Sequence, residues 1–160
     1  MHQRNTPGTA TDRPSTLSAS REQSDRLLTM ERDQIVKAYW QHYRWAFSAD
    51  ADRQKAEQSV WAWEAVRQLI VGDAAEPIND SERLALLIAL ADAATDAAAL
   101  GYLGAGPIEE LLGRDEPPID LVDTAARQNE KFRTALRCAW FDEHLPAAQA
   151  QRLRRFGPPL

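Results

Sequence analysis

The sequence predicts an all-α fold, a compact bundle of about six or seven short helices stacked as helical hairpins in a HEAT-like style. Three observations predict it. Apolar residues recur at three- and four-residue spacing after Met30, as in Ile35, Tyr39, His42, Tyr43 and Ala46 on one stripe and Val36, Trp40, Tyr43 and Phe47 on another. Alternating runs of β-branched residues, which would build strands, are absent, and the apolar residues are mainly Ala, Leu and Trp. Gly, Pro, Asn and Asp cut the pattern at short intervals, where helices stop and restart.

The first 29 residues carry Thr6, Thr9, Thr11, Ser15, Thr16, Ser18 and Ser20, with Pro7 and Pro14 and almost nothing apolar before Leu27. Such a segment buries too little surface to offset its ordering entropy, so residues 1–29 are expected to be a disordered tail. It lacks the hydrophobic centre of a signal peptide, and Met30 is an alternative start.

The two stripes of the first helix imply contacts on several sides. Ser48–Asp52 interrupts it, and a second helix runs from about Arg53 to Val71 with Val60, Trp63, Val66 and Ile70, stopping at Gly72. A third starts at Asn79 or Asp80, with Glu82 in capping-box spacing; Leu84, Leu86, Leu87, Ile88 and Leu90 face every side of it, which places it at the centre. Asp96 caps a short helix over Ala97–Leu103. Then follows Gly104-Ala-Gly-Pro-Ile-Glu-Glu-Leu-Leu112, read as a forced corner between two helices: a left-handed backbone near Ala105 or Gly106, Pro107 at the first helical position, and Glu109 and Glu110 at the positive helix end. Gly113 ends that helix, Ile119, Val122 and Ala126 begin another, Asn129 caps a helix lined by Phe132, Leu136, Ala139 and Trp140, and Pro146 opens a basic C-terminal segment, 146–160. The folded domain is thus expected over 30–145.

With 160 residues the chain suits one domain. No apolar run approaches the ~20 residues that cross a bilayer, and the single Cys138 excludes an internal disulfide, so a cytoplasmic protein without membrane contact is expected. Charge is uneven: residues 71–130 hold 13 acidic and 3 basic side chains, and residues 131–160 hold 2 acidic and 6 basic. An acidic middle makes a nucleic-acid groove unlikely, and Arg152, Arg154 and Arg155 alone make no recognition helix.

Catalytic patterns are missing. The three histidines, His2, His42 and His144, are scattered, so neither a metal nor another cofactor is expected. No nucleophile elbow surrounds a serine, and Glu109 and Glu110 point about 100° apart on a helix. A phosphate cradle at Gly101–Gly106 lacks the preceding strand and the following lysine, and Pro107 removes a donor.

Five tryptophans are many for such a domain. Trp63 and Trp140 fall on apolar stripes and are expected in the core. Trp45 and Trp61 fall off them, as candidates for binding another protein or a second copy of the chain. The leading expectation is a non-enzymatic interaction module (adaptor, regulator or immunity-type binder) with an acidic helical surface. The alternative is a small-ligand pocket or enzyme at the glycine turn, built from Tyr102, Gly104, Gly106, Pro107 and Glu109.

Tyr39-Trp40, Trp61-Ala-Trp63-Glu64, Leu86-Leu-Ile-Ala-Leu90, Ala93-Ala94, the Gly104–Leu112 segment, Lys131-Phe-Arg-Thr-Ala-Leu136 and Trp140 follow one another in order. This series resembles a bacterial domain family of unknown function marked by a Gly-Ala-Gly-Pro-Leu-Glu turn, with Ile108 here in place of the leucine. The resemblance covers residues 35–141 and implies a small single-domain helical protein; it brings no activity and no catalytic residue.

Overall fold

The computed structural model describes residues 16–47, 51–72 and 78–157, with side chains from Glu31 onward. The chain divides into two units, Met1–Glu31 and Arg32–Leu160. Helix α1 spans Thr16–Phe47, so 16–29 carry helix where a tail without structure was expected. Composition weighed only burial, whereas extending an existing helix adds one hydrogen bond per residue without a new nucleus. Residues 1–15 of that expected tail lie outside the described residues.

Within the second unit the expected punctuation recurs. Helix α2, Arg53–Val71, starts at Asp52, whose side chain accepts from the Lys55 N–H, and stops at Gly72 in the left-handed conformation at φ 99°. Helix α3, Asp80–Ala93, carries the complete capping box of Asn79 and Glu82. Its Leu84, Leu86, Leu87 and Leu90 are buried, and it packs on the helices that follow. Asp96 caps α4, Ala97–Leu103, through the Ala99 N–H at 2.8 Å.

The glycine segment is not a corner. From Ala97 to Leu112 the chain is one continuous rod: α4, a π-helical turn over Gly104–Ile108, and α5 over Glu109–Leu112. Gly104 is right-handed at φ −66°, and among the described residues the only positive-φ positions are Gly72 and Gly157. Pro107 therefore lies inside a helix. It has no N–H to donate, and its ring crowds the carbonyl four residues back; a widened turn accommodates both. Gly104 serves close packing instead: a Cβ there would collide with the Ala135 carbonyl oxygen and come within 2.8 Å of Cys138 Cβ. Gly101 and Gly106 face open space.

Helix α6 runs over Ile119–Gln128, α7 over Glu130–Leu136 with Asn129 as its cap, and α8 over Ala147–Arg154. The helix of Phe132 ends sooner than its apolar stripe suggests, so Trp140 follows in a loop and is 55% exposed rather than in the core. The C-terminal segment belongs to the compact unit, since Ala150 and Leu153 are buried in the common core. Its arginines complete a charge cluster. Asp123, buried on α6, accepts from Arg152 at 2.9 Å and from Arg155, with Arg127 at 3.4 Å. Burial alone would raise the pKa of Asp123, but the three guanidinium groups hold it below the ordinary value. Arg154 pairs with Asp142 at 2.9 Å. The basic C-terminus is thus matched to acids of the same unit. No helix of the described residues is long and apolar enough to cross a membrane.

Candidate functional site

A cavity of about 820 Å³ forms an open groove beside the C-terminal end of the π-containing rod. Helix α2 supplies Arg67 and Val71, α5 supplies Glu109 and Glu110, the turn after it supplies Gly113 to Glu116, and the loop after α7 supplies His144. Four carboxylates face two arginines there. Both arginines are engaged: Arg67 Nε lies 3.5 Å from Glu110, and Arg114 donates to Asp80 at 2.6 Å. Asp80 also accepts from the buried Arg83, whose Nε donates to the Leu69 carbonyl at the end of α2. Hydrogen bonding from Arg114, then Arg83, holds the Asp80 carboxyl below its ordinary range despite some desolvation. Glu109 accepts the Trp140 backbone N–H at 3.0 Å. Asp115 and Glu116 are exposed and form no ion pair among the described residues. The groove therefore has surplus negative charge on its mouth, with the exposed Val71 in its apolar lining.

An aromatic cluster of Tyr39, Tyr43, Phe47 and Tyr102 packs α1 against α4. In a uniform α-helix Tyr102 and Glu110 would lie about 80° apart; one extra residue in a turn removes about 100°, which brings them to one face. Tyr102 packs on Tyr43 and Phe47 at ring-centroid distances of 5.0 Å each and on Tyr39 at 6.2 Å. Tyr39 is 1% exposed, and its hydroxyl has no hydrogen-bond partner among the described residues. Burial, then the fields of Tyr102 and Glu110, drives the Tyr39 phenol far above its ordinary value. Desolvation likewise raises Glu110, partly offset by Arg67.

The residues singled out in the sequence are distributed unevenly over this region. Glu109 lines the groove, whereas Tyr102 belongs to the aromatic cluster behind it and Gly104, Pro107 and Gly106 shape the rod. Tyr102 and Glu109 thus do not share a pocket wall. Trp45 is half-buried and covered by cations, with Lys55 Nζ 4.3 Å and Arg44 Cζ 5.0 Å from its ring. Trp61 stands 49% exposed on α2. Sequence reasoning missed Arg67 and its ion pair with Glu110, which joins α2 to α5, so no local spacing announces it.

Chemically the groove holds carboxylates and guanidiniums without an aligned nucleophile and base. His144 is exposed on the rim, and no group of three or more metal-ligating side chains occurs among the described residues. Such a surface attracts cations.

The model of a family described as "Family of unknown function (DUF6869)" matches residues 49–156. That stretch includes α2 through α8, hence every groove residue. It begins later than the resemblance drawn from 35–141 and extends through the C-terminal helix. No curated protein and no solved structure matches the chain.

Proposed function

Because the chain belongs to the DUF6869 family, whose function is unknown, we propose from its site alone that it is a non-enzymatic interaction module that docks a basic segment of a partner protein in the groove between α2 and α5. One observation carries this reading. Among the described residues Asp115 and Glu116 form no ion pair at the mouth of the groove, while the arginines in it are already matched. Exposed acids in the same groove as Val71 supply the two things a short docking segment uses, charge steering and an apolar anchor. The small-ligand alternative is weaker, since Glu109 already accepts a backbone N–H and Tyr102 lies outside the groove lining.

The test is a calorimetric titration with a short amphipathic peptide bearing arginine and leucine, against its glutamate-substituted counterpart. The basic peptide is expected to bind in the micromolar range, more weakly at higher salt, and at least fivefold more weakly to the double variant Asp115→Asn, Glu116→Gln. Equal binding of both peptides, or no binding of either, overturns the reading.

A further inference from the structure

We propose that Asp80, which does not itself line the groove, is the positioning residue of the docking site: through Arg83 and Arg114 it fixes the turn that carries Asp115 and Glu116 relative to the end of α2. The inference rests on the docking reading and names what sets the geometry of that same groove.

One oxygen joins the two walls. Asp80 Oδ1 accepts from Arg83 Nη1 at 2.9 Å and from Arg114 Nη1 at 2.6 Å. Arg83 is buried, and its Nε donates at 2.9 Å to the carbonyl of Leu69, one of those that the end of α2 leaves without a helical partner. Two residues on, Val71 forms part of the groove lining. Arg114 belongs to the turn after α5 and immediately precedes the two acids. Three segments distant in sequence, 69–71, 80–83 and 114–116, thus meet on one carboxylate.

The turn has little else to hold it. The Gly113 N–H donates to the Glu109 carbonyl and the Ile119 N–H to that of Pro117, but among the described residues no backbone–backbone hydrogen bond involves Arg114, Asp115 or Glu116. The Arg114 side chain is what ties the acid-bearing turn to the rest of the unit. Its bond is short and partly buried, so water and salt screen it less than the Arg67–Glu110 pair, which is 3.5 Å long and half exposed at Arg67.

The charges make the joint depend on Asp80. Arg83 and Arg114 carry like charges and share one carboxylate oxygen, so they stay together only while Asp80 is ionised. Hydrogen bonding from Arg114, then Arg83, keeps that carboxyl below its ordinary range, hence ionised at neutral pH. Without the charge, Arg83 repels Arg114 and the turn is released. Asp115 and Glu116 then have to be ordered at the moment of binding, and the entropy of ordering them is subtracted from the affinity. A turn already held in place avoids that loss.

The test uses the full chain and the arginine- and leucine-bearing peptide of the calorimetric titration. Arg114→Gln keeps the Asp80–Arg83 pair and removes only the tie to the turn. It also removes a positive charge from the groove, which on charge alone would make a basic peptide bind more tightly. Positioning has the opposite sign, so Arg114→Gln is expected to bind about fivefold more weakly than the wild type. The response to Asp115→Asn, Glu116→Gln is expected to shrink to within about twofold in the Arg114→Gln background, the non-additivity of groups that act together. Asp80→Asn is expected to behave in the same way, and Arg114→Lys, which keeps a cation on Asp80, to stay within about threefold of the wild type. Amide relaxation gives a readout on the wild type itself: order parameters at Asp115 and Glu116 are expected near about 0.85, as in rigid backbone, and below about 0.6 in Arg114→Gln. If Arg114→Gln binds as tightly as the wild type or more tightly, the positioning is refuted and the groove stands as a charged surface. Weaker binding with a full response to the acid substitutions refutes it too, since that marks lost packing and not displaced acids. Order parameters below about 0.6 at both acids in the wild type refute it whether or not the variants fold. If the wild type binds no basic peptide, the docking reading falls and the inference with it.

Discussion

Gly104 and Gly106 are two residues apart and have opposite reasons for being glycine. A Cβ at Gly104 would strike the α7 backbone at Ala135, whereas Gly106 meets nothing within 4 Å and has no positive φ. Gly104→Ala is therefore expected to lose about 1–3 kcal/mol of stability through overpacking. Gly106→Ala is expected to be neutral or to gain up to about 1 kcal/mol, since a helical alanine loses less backbone entropy than glycine. Urea unfolding of the two variants checks this, and a large loss at Gly106 would restore the left-handed corner read from the sequence. Asp123 gives a second residue-scale prediction. Three arginines converge on its buried carboxylate, so Asp123→Asn leaves them short of a charge partner and is expected to cost about 2–3 kcal/mol, measured by the same unfolding.

At the scale of elements, what was legible in the sequence is what local chemistry controls. Asn79, Asp96 and Asn129 cap helices because a short side-chain oxygen reaches the N–H three residues on, and Gly72 ends α2 because the left-handed turn there excludes a Cβ. Asn79→Ala removes a complete capping box and is expected to cost about 1 kcal/mol, seen as a lower unfolding midpoint without a change in slope. The rod over Ala97–Leu112 was not legible. Pro107 followed by glutamates has the composition of a helix start, and only the packing of Gly104 on α7 shows that the helix continues through it. The same limit hid the site: Arg67 and Glu110 are brought together by two helices distant in sequence. Trp140 was misplaced because its stripe outlasts its helix.

The whole molecule balances an acidic middle with a basic end. Asp123 with Arg152 and Arg155, and Asp80 with Arg83 and Arg114, tie together segments distant in sequence. Both aspartates titrate below their ordinary value in the folded protein, by arginine pairing that outweighs burial. Their stabilisation is thus complete above the unfolded carboxylate range near pH 4 and is lost as pH falls through the lower folded values. Glu110 works in the opposite sense: its raised value means that its charged form costs stability at neutral pH, a cost relieved as pH falls through the folded value. The expected profile is a stability plateau at neutral pH and a steep acid limb below about pH 4, shallower in Asp123→Asn, recorded as unfolding temperature against pH. Asp115 and Glu116 are among the exposed acids that those internal pairs leave over, and on their place at the groove mouth the functional account depends. The most direct measurement is a map of backbone amide shifts on titrating the isotope-labelled chain with the basic amphipathic peptide. The account predicts changes concentrated at Arg67–Val71, Glu109–Glu116 and Trp140–His144; changes centred on the α1–α3 groove around Trp40 or on the Asp120–Arg152 face, or none, would contradict it.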